Sequence, residues 1–363
     1  MLSFLSYIVW DPVAEVIPGI TIPRWYGLLF ALGFLISQQL LVYIFKKEGK
    51  SEKDVEALTI YIVVATIVGA RLGHVLFYDA RQYFSNPIDI LKIWEGGLAS
   101  HGGAFGILIA LYFYVKNRKD QSYLWAVDRL VIAVAITGCL IRMGNFMNSE
   151  ILGKPTHTEN GVVFARIAEQ GIMSSIGGIS KVEAKKGTHE PLEDYVPIEI
   201  DITFEDPNIL PQKITEIVEI EVKNALIALS SYNEPNIHEP GRMPIRYNVE
   251  HYNDEYVAIV ETYGIARHPA QLYESIYCLL LFMLLFLIWN KWKAKTPEGL
   301  IFGLFLIILW SLRFVDEFFK ENQESFEDDL PINMGQILSI PLVLLGIFIL
   351  IRTWLNQKRS LNS

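Results

Sequence analysis

The chain has 363 residues, 52% of them hydrophobic, with a formal net charge of −9 and a mean hydropathy of +0.30. That balance excludes an ordinary soluble domain, and the acidity, much of it gathered in residues 156–261 and 321–329, argues against a nucleic-acid partner. The two cysteines, Cys139 and Cys278, both lie in apolar runs, so no disulfide framework or cysteine metal site is expected.

Residues 1–23 read as an interfacial lead-in that lacks the basic start and cleavage site of a signal peptide. Seven mostly apolar runs follow, each near the length of a bilayer-spanning helix. They are Trp25–Phe45, Val55–Phe77, Leu98–Val115, Ala126–Met147, Ala270–Trp289, Leu300–Phe319 and Ile337–Trp354. The expected fold class is therefore an all-α polytopic membrane protein of about seven transmembrane helices. Basic residues cluster after the first, third, fifth and seventh runs, as in Lys46–Lys47, Lys116–Lys119, Lys291–Lys295 and Lys358–Arg359. This bias predicts an outer N-terminus and a cytoplasmic C-terminus.

Residues 156–261 form one large hydrophilic segment between membrane portions 1–155 and 262–363. Val196–Phe204 alternates apolar and polar residues, and Ile214–Val222 reads similarly, so strands are expected in both. The segment is read as an inserted, β-rich extracytoplasmic head domain. Its His157, His189, His238 and His251 show no convincing ligand spacing, so no metal is expected there.

With orientation set, the costly polar residues fall in the outer halves of the runs. Arg24 and Tyr26 open the first, and Arg71 and His74 lie three apart near the end of the second. His101 stands in the glycine-rich stretch with Gly96, Gly97, Gly102 and Gly103 that leads into the third. Arg142, Asn145 and Glu150 close the fourth, with Arg142 and Asn145 on one helical face. His268 and Glu274 precede or open the fifth, and Gln336 opens the seventh. Arg313, Glu317 and Lys320 are spaced for one face of the sixth. Asp128 and Arg129, near an inner end, are expected to anchor at the interface.

Ionisable groups at membrane depth cost several kcal/mol unless paired or lining a wet cavity. Isolated ion pairs or satisfied core histidines account for single positions, but not for one-sidedness across six runs. Arginines from several helices suit a phosphate, and a histidine suits a base. No HExxH, GxSxG or P-loop motif occurs. These features point to phospholipid headgroup chemistry without a metal or cofactor. A lipid or solute transporter is the alternative; it predicts polar inner halves and internal repeats, and the sequence shows neither.

GARLGHVLFYD, GGLASHGG, IRMGNFMNSEILGKPT, RHPAQLYE and LRFVDEFFK, in this order, resemble the prolipoprotein diacylglyceryl transferase family. The resemblance implies a bacterial inner-membrane enzyme. Such an enzyme moves the diacylglyceryl group of phosphatidylglycerol onto the lipobox cysteine of prolipoprotein signal peptides, leaving a thioether and glycerol 1-phosphate. It implies an essential role for His101 and donor-site roles for Arg142, Asn145, Glu150 and Gly153. Arg313, Glu317 and Tyr26 match family positions, whereas Lys320 stands where the family often has arginine. Catalytic roles are expected for His101, Arg142 and Arg313. Substrate binding is expected for Tyr26, Arg71, His74, Asn145, Glu150, Gly153, Glu317 and Lys320. Whether His101 is the base or positions the glycerol stays open at this point. The insert, residues 166–259, is far longer than the family's usual head region, and every matched residue lies outside 181–233.

Overall fold

Apolar runs become helices in the computed structural model. It describes the chain except residues 1–6, 14, 18–22, 78–79, 93–96, 98, 117, 233–234, 253, 323–326, 328–329 and 363, with backbone alone at 82, 100 and 360–362. The long helices are α1 (Trp25–Lys47), α2 (Glu52–Phe77), α4 (Ser100–Lys116), α5 (Tyr123–Met147), α9 (Ala270–Trp292), α10 (Leu300–Asp316) and α11 (Met334–Asn362), with a short α3 (Ala80–Ser85) after α2. Among the described residues five helices, α1, α2, α5, α9 and α11, are long and apolar enough to cross a membrane. Helices α4 and α10 have 17 residues each, about 25 Å, at the lower limit for a span.

One compact unit comprises Phe30–Ile141, Ile276–Phe314 and Gly335–Ser363. Its core joins Ile44, Phe45, Leu58, Leu111, Ile132, Leu285, Trp289 and Ile301, all fully buried or nearly so. In lipid such a core holds by close packing rather than by water exclusion. Helices α2 and α4 meet backbone to backbone: a Cβ on Gly102 would lie 2.2 Å from the Gly69 carbonyl oxygen. Only glycine fits there.

The same unit corrects the interfacial reading of Asp128 and Arg129, since both side chains are fully buried. Arg129 Nη2 donates to both oxygens of Glu48 at 2.9 and 3.1 Å, and Nε donates to Oε1 at 3.1 Å. The indole N–H groups of Trp125 and Trp289 complete that carboxylate's shell at 2.8 and 2.6 Å. Asp128 accepts the N–H groups of Gly299 and Phe302, both at 2.7 Å, at the start of α10. The partners lie far along the chain, so local sequence gives no sign of them.

The other unit comprises Met1–Leu29, Arg142–Ser275 and Val315–Met334. A short strand β1 (Ile8–Trp10) pairs in parallel with β2 (Val162–Phe164). Strands β3 (Ile179–Lys186), β4 (Val196–Phe204), β5 (Ile237–His238), β6 (Arg246–Tyr252) and β7 (Glu255–Gly264) form an antiparallel sheet. Its order is β3-β4-β7-β5, and β6 also pairs with β7. Ile198, Ile200 and Ile202 of β4 pack in one core with Ile172 of α6 (Arg166–Ser175). Residues 162–264 are thus α and β together.

Residues 214–222 are helical, not extended: α7 (Pro211–Glu216), a π turn (Ile217–Val222) and α8 (Lys223–Ser230) run on without a break. Ile214, Ile217, Val218, Val222, Leu226 and Leu229 are all buried at helical spacing, while Ile220 is exposed. The alternation of Ile217–Val222 fits both periods, and only the longer window separates them. Pro211 in the first turn favours the helix.

Candidate active site

Within the unit that holds the head, the signature residues gather where α5 ends. Arg142 Nη1 donates to Asn145 Oδ1 at 3.4 Å, as one helical face requires. Asn145 and Asn148 donate in turn to the Glu150 carboxylate at 3.3 and 3.1 Å. Tyr26 lies against Gly144, where a Cβ would sit 3.0 Å from its ring, and it interacts electrostatically with Glu150 and Arg142.

Past Met147 the backbone turns sharply. Ser149 and Ile151 take φ of 55° and 58°, a left-handed conformation that is an outlier for a β-branched side chain. Such residues cost about 1–3 kcal/mol each and persist only where surroundings hold them. Gln271 Nε2 donates to the Glu150 carbonyl at 2.6 Å, and Arg267 Nη1 to the Gly153 carbonyl at 2.9 Å. Gly153 pairs with Lys320 in an antiparallel bridge, and a Cβ on it would lie 2.2 Å from the His268 carbonyl oxygen.

A buried charge cluster adjoins this loop. Glu274, in the second turn of α9, is ion-paired with both Arg142 and Lys320. Lys320 also meets Asp316 at 3.3 Å and Glu317 at 3.5 Å, and Glu317 accepts from Asn333 Nδ2 at 3.1 Å. Lys320 and Glu274 are each 2% exposed. Buried charges of this kind survive only when paired and hydrogen-bonded. The Arg142 side chain, 19% exposed, is the cluster's more accessible cation. His268 Nδ1 and the Tyr273 hydroxyl are 3.2 Å apart, and burial pushes the imidazole's pKa down.

The remaining residues of interest belong to the other unit. Arg71 is buried and donates to the carbonyls of Asp89, Ile90, Lys92 and Gly97 at 2.5–3.2 Å. It fastens the segment leading into α4. His74 lies against Gly97, with the Tyr83 ring 6.0 Å away. His101, the second residue of α4, is exposed and interacts electrostatically with Arg313, whose guanidinium lies 5.7 Å from the Trp310 ring. Gly96 lies outside the described residues.

Tyr26, Arg142, Asn145, Glu150, Gly153, Glu317 and Lys320 therefore belong to one unit, and Arg71, His74, His101 and Arg313 to the other. The expected single helical face of Arg313, Glu317 and Lys320 does not form, because α10 stops at Asp316 and Lys320 pairs by its backbone with Gly153. Arg267, Gln271, Asp316 and Asn333 were not singled out from sequence. Arg267 and Gln271 lie in the RHPAQLYE stretch and Asp316 in LRFVDEFFK, and those motifs were the available signal. Among the described residues no group of three or more His, Cys, Asp and Glu is placed to hold a metal ion.

Residues 12–352 match the sequence model of the prolipoprotein diacylglyceryl transferase family. The chain is 34% identical over 349 residues to the phosphatidylglycerol–prolipoprotein diacylglyceryl transferase of Tolumonas auensis, covering 96% of this chain and 98% of that one. It is 33% identical over 350 residues to the like-named protein of Chloroherpeton thalassium, with 96% and 95% covered. For that of Porphyromonas gingivalis the identity is 34% over 369 residues, with 98% and 99% covered.

Proposed function

The chain belongs to the prolipoprotein diacylglyceryl transferase family, and from that premise we propose how its residues act in the first step of bacterial lipoprotein maturation. It is a transferase and a multi-pass membrane protein. The donor is phosphatidylglycerol and the acceptor a prolipoprotein. The sulfur of the lipobox cysteine in the signal peptide attacks the glycerol carbon that bears the phosphate. A C–S bond forms, the C–O bond breaks with its electron pair on oxygen, and glycerol 1-phosphate leaves. The attacked centre is not a carbonyl, so no oxyanion hole is needed.

Arg142 and Arg313 hold the phosphate and offset charge that grows on the leaving group. Asn145 and Glu150 orient the headgroup, and Tyr26 and Gly153 shape the donor site. His101 takes the thiol proton directly or through water. Glu317 and Lys320 complete the charge around the donor site, and Arg71 and His74 set the approach to His101. Seven helices span the inner membrane with the N-terminus and the head, residues 156–261, outside and the C-terminus in the cytoplasm.

The observation that carries this reading is the buried cluster of Arg142, Glu274 and Lys320 beside Asn145 and Glu150. The three relatives' transferase names favour it over a transporter. The test is headgroup dependence: in proteoliposomes, phosphatidylglycerol supports lipidation of a lipobox peptide and phosphatidylcholine does not. Equal lipidation from both lipids contradicts the assigned phosphate and headgroup contacts.

A further inference from the structure

We propose that Arg267 is a positioning residue that, together with Gln271, holds the loop 149–153 in its donor-binding conformation. The inference rests on the transferase reading above. Arg267 is 1% exposed, although arginine is rarely buried without a strong partner. Its guanidinium joins three separate stretches: Nη1 donates to the Gly153 carbonyl at 2.9 Å and to Glu321 Oε1 at 2.7 Å, and Nη2 to the Pro235 carbonyl at 2.8 Å.

The backbones of those stretches are also laced together. Arg267 and Val162 exchange N–H···O bonds at 2.9 Å each, and His268 N donates to Lys154 O at 3.0 Å. Lys154 N donates to Phe319 O at 2.8 Å, and Glu321 N to Leu152 O at 3.2 Å. Segments 152–156, 265–268 and 319–321 thus form one junction with the Arg267 fork at its centre. Gln271, four residues on, grips the same loop at the Glu150 carbonyl.

The loop needs holding. Ser149 and Ile151 sit in left-handed conformations that neither side chain prefers, and Glu150 between them accepts hydrogen bonds from Asn145 and Asn148. Released, this backbone relaxes toward ordinary φ and carries the Glu150 carboxylate with it. Arg267 contacts the donor loop directly, through the Gly153 carbonyl. Its loss therefore weakens donor binding ahead of peptide binding. Lysine keeps the charge for Glu321 but, as a single point donor, cannot span the three oxygens.

The experiment compares wild type, Arg267→Lys, Arg267→Ala and Gln271→Ala in the full-length detergent-purified protein. It uses phosphatidylglycerol and a lipobox peptide as separately varied substrates. Arg267→Lys and Gln271→Ala are expected to raise KM for phosphatidylglycerol about tenfold while moving the peptide KM less than about twofold. Added guanidinium is expected to restore part of the activity of Arg267→Ala. KM values for both substrates that rise together in Arg267→Lys and Gln271→Ala overturn the proposal, as does wild-type behaviour of both. If Arg267→Lys fails to fold, Gln271→Ala decides between the same two outcomes. Absence of turnover in wild type refutes the transferase reading instead, so the two failures are distinct.

Discussion

Glu274 and Arg142 form an ion pair between the second turn of α9 and the end of α5, with the carboxylate 3% and the guanidinium 19% exposed. A buried carboxylate at this place fixes the direction of the fork proposed above to hold the phosphate. Arg142→Ala is expected to lower turnover about 10²–10³-fold, the usual loss when one preorganised donor to a developing charge is removed. Arg313→Ala is expected to lose a similar amount. Steady-state assays on folded variants check this, and turnover within threefold of wild type for either would remove it from phosphate binding.

Arg129 makes a different prediction. Arg129→Ala leaves the Glu48 carboxylate buried with, among the described residues, only the Trp125 and Trp289 indoles as partners. Breaking a buried pair from one side costs about 3–5 kcal/mol. A marked fall in thermal midpoint is expected, with partial recovery in the Arg129→Ala/Glu48→Gln double variant. Unchanged melting of Arg129→Ala would show that the pair is not a structural lock.

From sequence, excision of residues 181–233 removes no residue matched to the family, and surface insertions cost little in loop closure, so the chemistry is expected to survive it. The fold says otherwise. The excision removes most of β3 and all of β4, the strand between β3 and β7, together with α7 and α8. Ala258 and Val260 of β7, now fully buried, lose their cover. The shortened protein is expected to aggregate or to be degraded. A monodisperse, active deletion variant would contradict this.

How legible the molecule was depends on where each partner lies. Helix positions and the Arg142–Asn145 pair were readable because they follow from spacing within one segment. Long-range partners were not: nothing near Glu48 announces Arg129, 81 residues away. The break in the sixth helix after Asp316 was hidden because apolar residues run on through Phe319, while a backbone bridge to Gly153 takes over. Left-handed φ at Ile151 runs against its β-branched side chain, so the strained loop could not be read at all.

Glu169 links the head sheet to the lead-in. It accepts the Ala184 N–H at 2.7 Å, and burial, reinforced by a hydrogen bond shared with Asp11, pushes its pKa up. A carboxyl raised in the folded state contributes stability that is complete below its ordinary range. That stability is lost as pH climbs from about 5 toward the folded value. The protein's thermal midpoint is expected to fall over that rise in pH, and Glu169→Gln, which mimics the protonated form, is expected to flatten the slope. Parallel pH profiles for the two proteins would dismiss the role of Glu169.

His101 is exposed at the start of α4. His101→Asn keeps a polar side chain but cannot accept a proton near neutral pH. Turnover is expected to fall at least about 100-fold, within the usual range for general acid–base catalysis, while phosphatidylglycerol binding persists. Near-normal turnover of a variant that binds the lipid would leave the thiol proton to water or another group.

The central claim is that one glycerol phosphate leaves for each thiol alkylated. The most direct measurement incubates the purified protein with phosphatidylglycerol and a lipobox peptide, and follows peptide mass and free glycerol phosphate together. Equal amounts of diacylglyceryl peptide and glycerol phosphate are predicted, with neither formed when the cysteine is replaced by serine. Lipidated peptide without glycerol phosphate, or glycerol phosphate release independent of the cysteine, would contradict the account.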